Sequence, residues 1–215
     1  MTTTRTRAPG PVLLSDPAVA AVPVLGLPAP LLRLAPAFGP ARALVRAGLA
    51  ARLADARSTL PDGIGLRVVE GHRPAAAQRA IIARYGAQVR AAHPGADEQT
   101  VHRLTSRFVA PLAVAPHVAG AAVDLTLVDA DGHELDLGTA IDATPEESAG
   151  ACYLDAPVPP AARRHRDLLV RVLSDAGLVN YPTEWWHWSH GDRYWALSTG
   201  APAALYGPVV DEVAA

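Results

Sequence analysis

The stretch Glu184–Trp195, EWWHWSHGDRYW, holds all four tryptophans of the chain and two of its eight histidines. A tryptophan ring needs a packed wall and its N–H needs a partner. The segment therefore has to lie against the core. The fold has to be built around it, because only 5% of the residues are aromatic. We read it as a strand, with His187 between Trp186 and Trp188 and with Glu184 three residues earlier.

Composition removes several kinds of chemistry. A chain of 215 residues buries most of its surface without help from a disulfide or a metal. It divides into an irregular N-terminal arm over residues 1–36, with a poorly ordered tip, and a single domain over residues 37–215. Cys152 is the one cysteine, which excludes an internal disulfide and a Cys-rich zinc site, so any zinc must be held by His and carboxylate. Every basic side chain is Arg, which excludes a lysine Schiff base or nucleophile. A net charge of −2 leaves no basic footprint for nucleic acid. The apolar stretch near the N-terminus is cut by Pro11, Asp16, Pro17 and Pro23 and makes no secretion signal. No run is long enough to span a membrane. The expectation is a cytoplasmic protein with no nucleic-acid or membrane partner.

The apolar spacing predicts a helix from Pro40, carrying Leu44, Val45, Leu49 and Leu53, then a turn at Pro61–Gly63 and a strand over Leu66–Gly71. Pro74 opens a second helix with Ile81, Ile82, Tyr85 and Val89 on one face, which puts Arg73 at the strand-to-helix junction. A third helix has Asp97 and Glu98 in its first turn and Val101, Leu104 and Phe108 as its stripe. Within Pro116–Gly132, a loop leads into a strand with Ala122, Asp124 and Thr126 on one face and Val123, Leu125 and Leu127 on the other. Residues 143–150 suggest a short helix, and Pro159–Gly177 a strong one ending at Gly177. Few strands separated by helices of mixed spacing give an α+β class: a small, mostly antiparallel central sheet with helices packed around it.

Three residues then stand out. His117 precedes one strand, Asp124 lies in it, and His187 lies in the tryptophan-rich strand. If the two strands pair, two imidazoles and a carboxylate converge and leave a tetrahedral zinc one open position. Glu184 is the companion such a centre needs, a carboxylate beside the metal that takes a proton from water. Positions three apart on a strand face opposite sides, so the chain must bend between Glu184 and His187 for both to reach one cavity. Non-haem iron oxygenases share the ligand set, but a base beside the metal is not part of their usual equipment.

These residues also carry a family pattern. HVAGAAVD (His117–Asp124) fits H-x-x-G-x-A-x-D, EWWHW (Glu184–Trp188) fits E-x-x-H-W, and EGHRP (Glu70–Pro74) resembles a G-Y-R-P segment. LDLGTAID and GLVNYPTEWWHW extend the likeness. The chain thus resembles the zinc D-Ala-D-Ala dipeptidases of the VanX type over about residues 60–210. The resemblance implies one zinc per chain on His117, Asp124 and His187, Glu184 as general base, and Arg73 polarising the scissile carbonyl. It also implies a small dipeptide as partner, hydrolysed to free amino acids, with Asp142 on the substrate ammonium group. Trp186 and His72 are further candidate substrate contacts. Two departures touch the substrate side: His72 replaces the family tyrosine, and Ala115 replaces a serine two residues before His117. The alternatives are a zinc D,D- or L,D-carboxypeptidase acting on longer stem peptides and a non-catalytic zinc-binding module. Oligomeric state is left open.

Overall fold

The computed structural model describes residues 11–209; the tip expected to be poorly ordered lies outside them. In chain order the elements are α1 (Pro17–Ala21), β1 (Leu31–Arg33), β2 (Leu44–Arg46), α2 (Ala47–Ser58), β3 (Gly65–Glu70), α3 (Ala75–Ala92), α4 (Glu98–Thr105), β4 (Ala122–Val128), α5 (Pro160–Asp175), β5 (Val179–Asn180), β6 (His187–Ser189) and α6 (Arg193–Thr199). A four-stranded antiparallel sheet runs in the order β3-β4-β6-β5, and β1 and β2 form a separate antiparallel pair. This is the α+β class expected. Among the described residues, no helix is long and apolar enough to cross a membrane.

The alternation of β4 decides how the sheet is used. Val123, Leu125 and Leu127 face the main core, with Leu49 and Leu53 of α2, Leu169 and Leu173 of α5, and Trp185, Trp186 and Trp188. Asp124 points to the other face, toward a cleft that α3 walls. Leu66 and Val68 of β3 pair with Leu127 and Leu125 on the core face. A bulge between Val68 and Glu70 then brings Glu70 into register with Asp124. An extra residue re-aims the side chain that follows it, and here it turns Glu70 toward the cleft. Asp124 is in turn paired with His187 of β6. Glu70, Asp124 and His187 therefore form one row across the sheet.

Four expectations about elements change. Leu44 and Val45 belong to β2, not to a helix begun at Pro40, because β1 offers them a strand partner; α2 starts at Ala47. Asp97 caps α4 rather than entering it, its carboxylate accepting the Thr100 N–H at 2.7 Å, and Phe108 lies past the helix end. Residues 143–150 form turns, with Ala149 and Gly150 at positive φ. The tryptophan-rich segment is a strand only over His187–Ser189: turns precede it, and Asp192 caps α6, which carries Trp195. Both acids fit the side-chain-to-backbone capping preference of Asp.

Arg166 of α5 holds the long loop between β4 and α5. It is fully buried, and its guanidinium donates to the carbonyls of Leu137, Ala151, Tyr153 and Leu154. Burial pushes its pKa down to about 10. Arg166→Leu strands those carbonyls, each unsatisfied group costing about 1–3 kcal/mol. We expect a net loss of at least about 3 kcal/mol of stability, measured as a lower urea midpoint with unchanged slope.

Candidate active site

His117 sits in the turn that feeds β4. Gly120, at φ +65°, lets the chain reverse there, and a Cβ on it would come within 2.5 Å of the Leu31 side chain. The Nδ1 of His117 lies 2.8 Å from the Gly71 carbonyl. A carbonyl only accepts, so Nδ1 carries the hydrogen and Nε2 turns its lone pair to the cavity. That Nε2 is 3.1 Å from His187 Nδ1 and 3.3 Å from Asp124 Oδ2, and His187 Nδ1 is 3.1 Å from Asp124 Oδ1. All three side chains are buried. Zinc ligands at about 2.0–2.1 Å in a tetrahedron stand about 3.3 Å apart. The spacing and the chemistry of the donors fit that ion, and these three residues are a group able to hold a metal.

The expected bend is present. The Glu184 N–H donates to the Tyr181 carbonyl at 2.9 Å, and the His187 N–H to the Glu184 carbonyl at 3.2 Å. Asn180 clamps this double turn, its Nδ2 donating to the carbonyls of Glu184 and His187, both at 2.9 Å. The turn delivers Glu184 Oε2 to 3.8 Å from His187 Nδ1. Glu184 is buried, and its pKa is pushed well up by desolvation, then by the charges of Asp124 and Asp142, against the pull of Arg73. For Asp124, burial also pushes upward, but His117 and His187 outweigh it and hold the group below the carboxylate range.

Arg73 is fixed at both ends of its fork. Nε donates to Glu70 Oε1 at 2.7 Å and Nη2 to Glu70 Oε2, while Nη1 donates to Gln78 Oε1 at 2.8 Å. Gln78, itself buried, passes its Nε2–H to the Ala110 carbonyl at 2.8 Å, on the segment leading to His117. The Arg73 N–H donates to the His117 carbonyl at 3.1 Å.

The cleft measures about 490 Å3, and Arg73, His117, Asp124, Asp142, Glu184, Trp186 and His187 all line it. Asp142, at φ +63°, stands on its rim, and its pKa is raised by partial burial and by Asp124 and Glu70. Leu14 of the N-terminal segment closes one side, its N–H tied to the Tyr181 hydroxyl at 3.2 Å. Ala115 lines the cleft without a hydroxyl to offer. His72 is not among the lining residues; its N–H donates to the Leu44 carbonyl. His190 is also elsewhere, buried beside Trp195 at 4.7 Å, with its pKa lowered to about 4 by burial and Arg52. Cys152 is buried in the core as a small filler. Glu70, Gln78 and Asn180 were not singled out by the sequence. Gln78 had a signal, a polar residue in the first turn after the junction that carries Arg73.

Donors spaced for a divalent cation, with a proton acceptor held beside them but off the cluster, define a metal-dependent hydrolase. Residues 37–200 match the Peptidase M15 family, described as D-ala-D-ala dipeptidase, and the chain belongs to this family of metallopeptidases. It is similar to a D-alanyl-D-alanine dipeptidase of Synechocystis, 33% identical with 71% of each chain covered. A second D-alanyl-D-alanine dipeptidase, from Escherichia coli, is 42% identical over 33% of this chain and 35% of its own. Among solved structures, the vancomycin-resistance D,D-pentapeptidase VanY in complex with Zn(II) aligns at a TM-score of 0.41 with 16% identity, covering 88% of this chain and 96% of that one.

Two substitutions separate holding the metal from holding the arginine. Gly71→Ala drives a Cβ to 2.5 Å from the Leu44 carbonyl and shifts the acceptor of His117. Zinc affinity in a chelator competition should fall about 10–100-fold, as for other partners of ligating histidines. Gln78→Leu should leave zinc affinity unchanged while kcat falls, by less than the about 10²–10³ that outright loss of a charge-stabilising donor costs.

Proposed function

We propose that the chain is a zinc dipeptidase that hydrolyses D-Ala-D-Ala, or a similar small dipeptide, to free amino acids. One observation carries the reading: Glu184 stands off the His117–Asp124–His187 cluster by less than 4 Å, in a cleft that Arg73 also lines. His117, Asp124 and His187 would hold one zinc ion. Bound there, zinc supplies a Lewis acid and lowers the pKa of a water in its open position to about 7.

The side chains do the rest. Glu184 takes the proton of the attacking water and returns it to the leaving amine. Its crowded, buried carboxylate raises its affinity for that proton. Arg73 aims its remaining N–H groups at the carbonyl oxygen, where negative charge develops, and Glu70 and Gln78 keep it from turning away. Asp142 receives the substrate ammonium group from the rim. Trp186 walls the cavity and keeps water out. Residues 37–215 are the peptidase domain in this reading.

The test is hydrolysis of D-Ala-D-Ala, L-Ala-D-Ala and L-Ala-L-Ala by the zinc-loaded chain, followed by amino-acid analysis. D-Ala-D-Ala should be cleaved, and failure on all three sinks the dipeptidase reading. Glu184→Gln should lower kcat by about 10²–10⁴; full activity in that variant would refute the base. The pH profile gives an independent check. Glu184 must be ionised to act, so kcat/KM falls as pH drops through its raised pKa. Asp142→Asn removes a neighbouring negative charge, which favours ionised Glu184 and moves that acid limb to lower pH. A limb that stays in place or rises argues against coupling between the two acids.

A further inference from the structure

One corner of the cleft is apolar, and the segment that closes it takes no part in the proposed catalysis. Leu14 and Tyr181 line the cleft and belong to one apolar cluster with Val19, Val114 and Tyr194. Ala110, also in the cleft wall, packs against that cluster. The corner is close to the chemistry. The Tyr181 ring centre lies 6.1 Å from that of His187, edge on. The Tyr181 N–H donates to the His187 carbonyl at 3.0 Å, and its own carbonyl accepts the Glu184 N–H at 2.9 Å. A substrate whose scissile bond lies at Glu184 and the metal cluster therefore has Tyr181 and Leu14 beside it. The groups assigned to the substrate ammonium, the carbonyl and the water are all charged, so a substrate side chain finds apolar surface at this corner.

Leu14 comes from a stretch with no strand partner. Residues 11–16 precede α1 and form no strand, so their backbone groups need other partners. The Leu14 N–H donates to the Tyr181 hydroxyl at 3.2 Å, and that hydroxyl donates to the Ser106 carbonyl at 2.5 Å. A hydroxyl has one hydrogen to give and lone pairs to accept with. Tyr181 is used in both directions, and it joins the N-terminal stretch to the end of α4. Further bonds fix the same stretch. Ser15 Oγ lies 2.6 Å from Ser106 Oγ, the Tyr194 hydroxyl donates to the Val12 carbonyl at 3.3 Å, and Arg193 donates to the carbonyls of Ala20 and Val22. Leu14 is 3% exposed. Held this way it is a packed wall, and a packed wall rejects added volume instead of yielding to it.

We propose that Leu14 is a specificity-determining residue that limits the size of one substrate side chain, and that Tyr181 is the positioning residue that holds it in place. The proposal rests on the catalytic reading for where the substrate lies. The side chain belongs to either the first or the second residue of the dipeptide, and the substrates below distinguish the two.

The test measures kcat and KM of the zinc-loaded full chain on D-Ala-D-Ala, D-Leu-D-Ala and D-Ala-D-Leu, for the wild type, Leu14→Ala, Leu14→Phe and Tyr181→Phe. Leu14→Ala removes three carbons from the wall. It should raise kcat/KM for one leucine dipeptide relative to D-Ala-D-Ala by at least about tenfold, the lower end for a size change in an apolar pocket. The dipeptide that gains shows which substrate residue faces Leu14. Leu14→Phe adds bulk and should move the same ratio down. Tyr181→Phe keeps the ring and the backbone bonds but removes the partner of the Leu14 N–H. It should move the ratio in the direction of Leu14→Ala, by less, through KM and not kcat, with zinc affinity unchanged. If Leu14 only packs the N-terminal stretch, both Leu14 variants lose activity on all three substrates with the ratios unmoved, and that result overturns the proposal. Tyr181→Phe with the wild-type ratio, or with an effect confined to kcat, overturns the positioning role. Cleavage of D-Ala-D-Ala with unmoved ratios leaves the catalytic reading standing and removes this one. If the wild type cleaves none of the three, the catalytic reading fails and the proposal falls with it.

Discussion

The hydrogen bond from His117 Nδ1 to the Gly71 carbonyl is the contact on which the rest of the centre depends. It fixes the tautomer, so Nε2 faces Asp124 and His187 as a donor of electrons. It also places the β3–α3 junction, because the residues after Gly71 are stitched to the same neighbours: the His72 N–H to Leu44 and the Arg73 N–H to His117. The His117 imidazole and the Arg73 guanidinium, both in the cleft wall, are thereby built at one crossing of two chain segments. The crossing is close enough to demand glycine, since a Cβ at position 71 would meet the Leu44 carbonyl at 2.5 Å and the Ala43 methyl at 3.0 Å.

Four carboxylates crowd the inner end of the cleft around Arg73, and crowding acids cannot all stay ionised cheaply. Their environments push them apart. Asp124 lies between two imidazoles and is held anionic. Glu184 has no such partners, is buried, and feels Asp124 and Asp142 as like charges, so its proton affinity rises. Divergent affinities in neighbouring acids mark divergent roles. Here the division follows backbone geometry: Asp124 is in register with His187 across the sheet, and Glu184 reaches the cluster from a turn.

The motif residues were legible because each sits where the chain's own regularities place it. Asp124 could be assigned a face from the alternation of β4, and the offset between Glu184 and His187 required a bend, which the Tyr181–Glu184 and Glu184–His187 turns supply. The supports were not legible. Glu70 joins the row only through a bulge, which no alternation pattern announces. Asn180 acts on carbonyls and has no spacing of its own, and Gln78, though its place one turn after Arg73 was a signal, acts on a guanidinium brought to it by the fold. The misread elements, Leu44–Val45 as helix and the tryptophan segment as one strand, share a cause. β2 is set by its pairing with β1, just upstream, and β6 is cut short by a cap at Asp192, so strand pairing and capping overrode local period.

The tryptophans divide their tasks. Trp186 alone among them lines the cleft. Trp185 turns away, donating its N–H to Thr139 at 2.8 Å and lying 5.8 Å from the Arg166 guanidinium. Those two contacts hold the loop that carries Asp142, Thr144 and Glu147 to the cleft. Trp188 locks the turn by donating to the Trp185 carbonyl at 3.0 Å. The segment thus fastens the His117–Asp124–His187 cluster, set by backbone pairing, to a loop wall set by side chains. Changes in that loop can alter what the cleft receives without moving His117, Asp124 or His187.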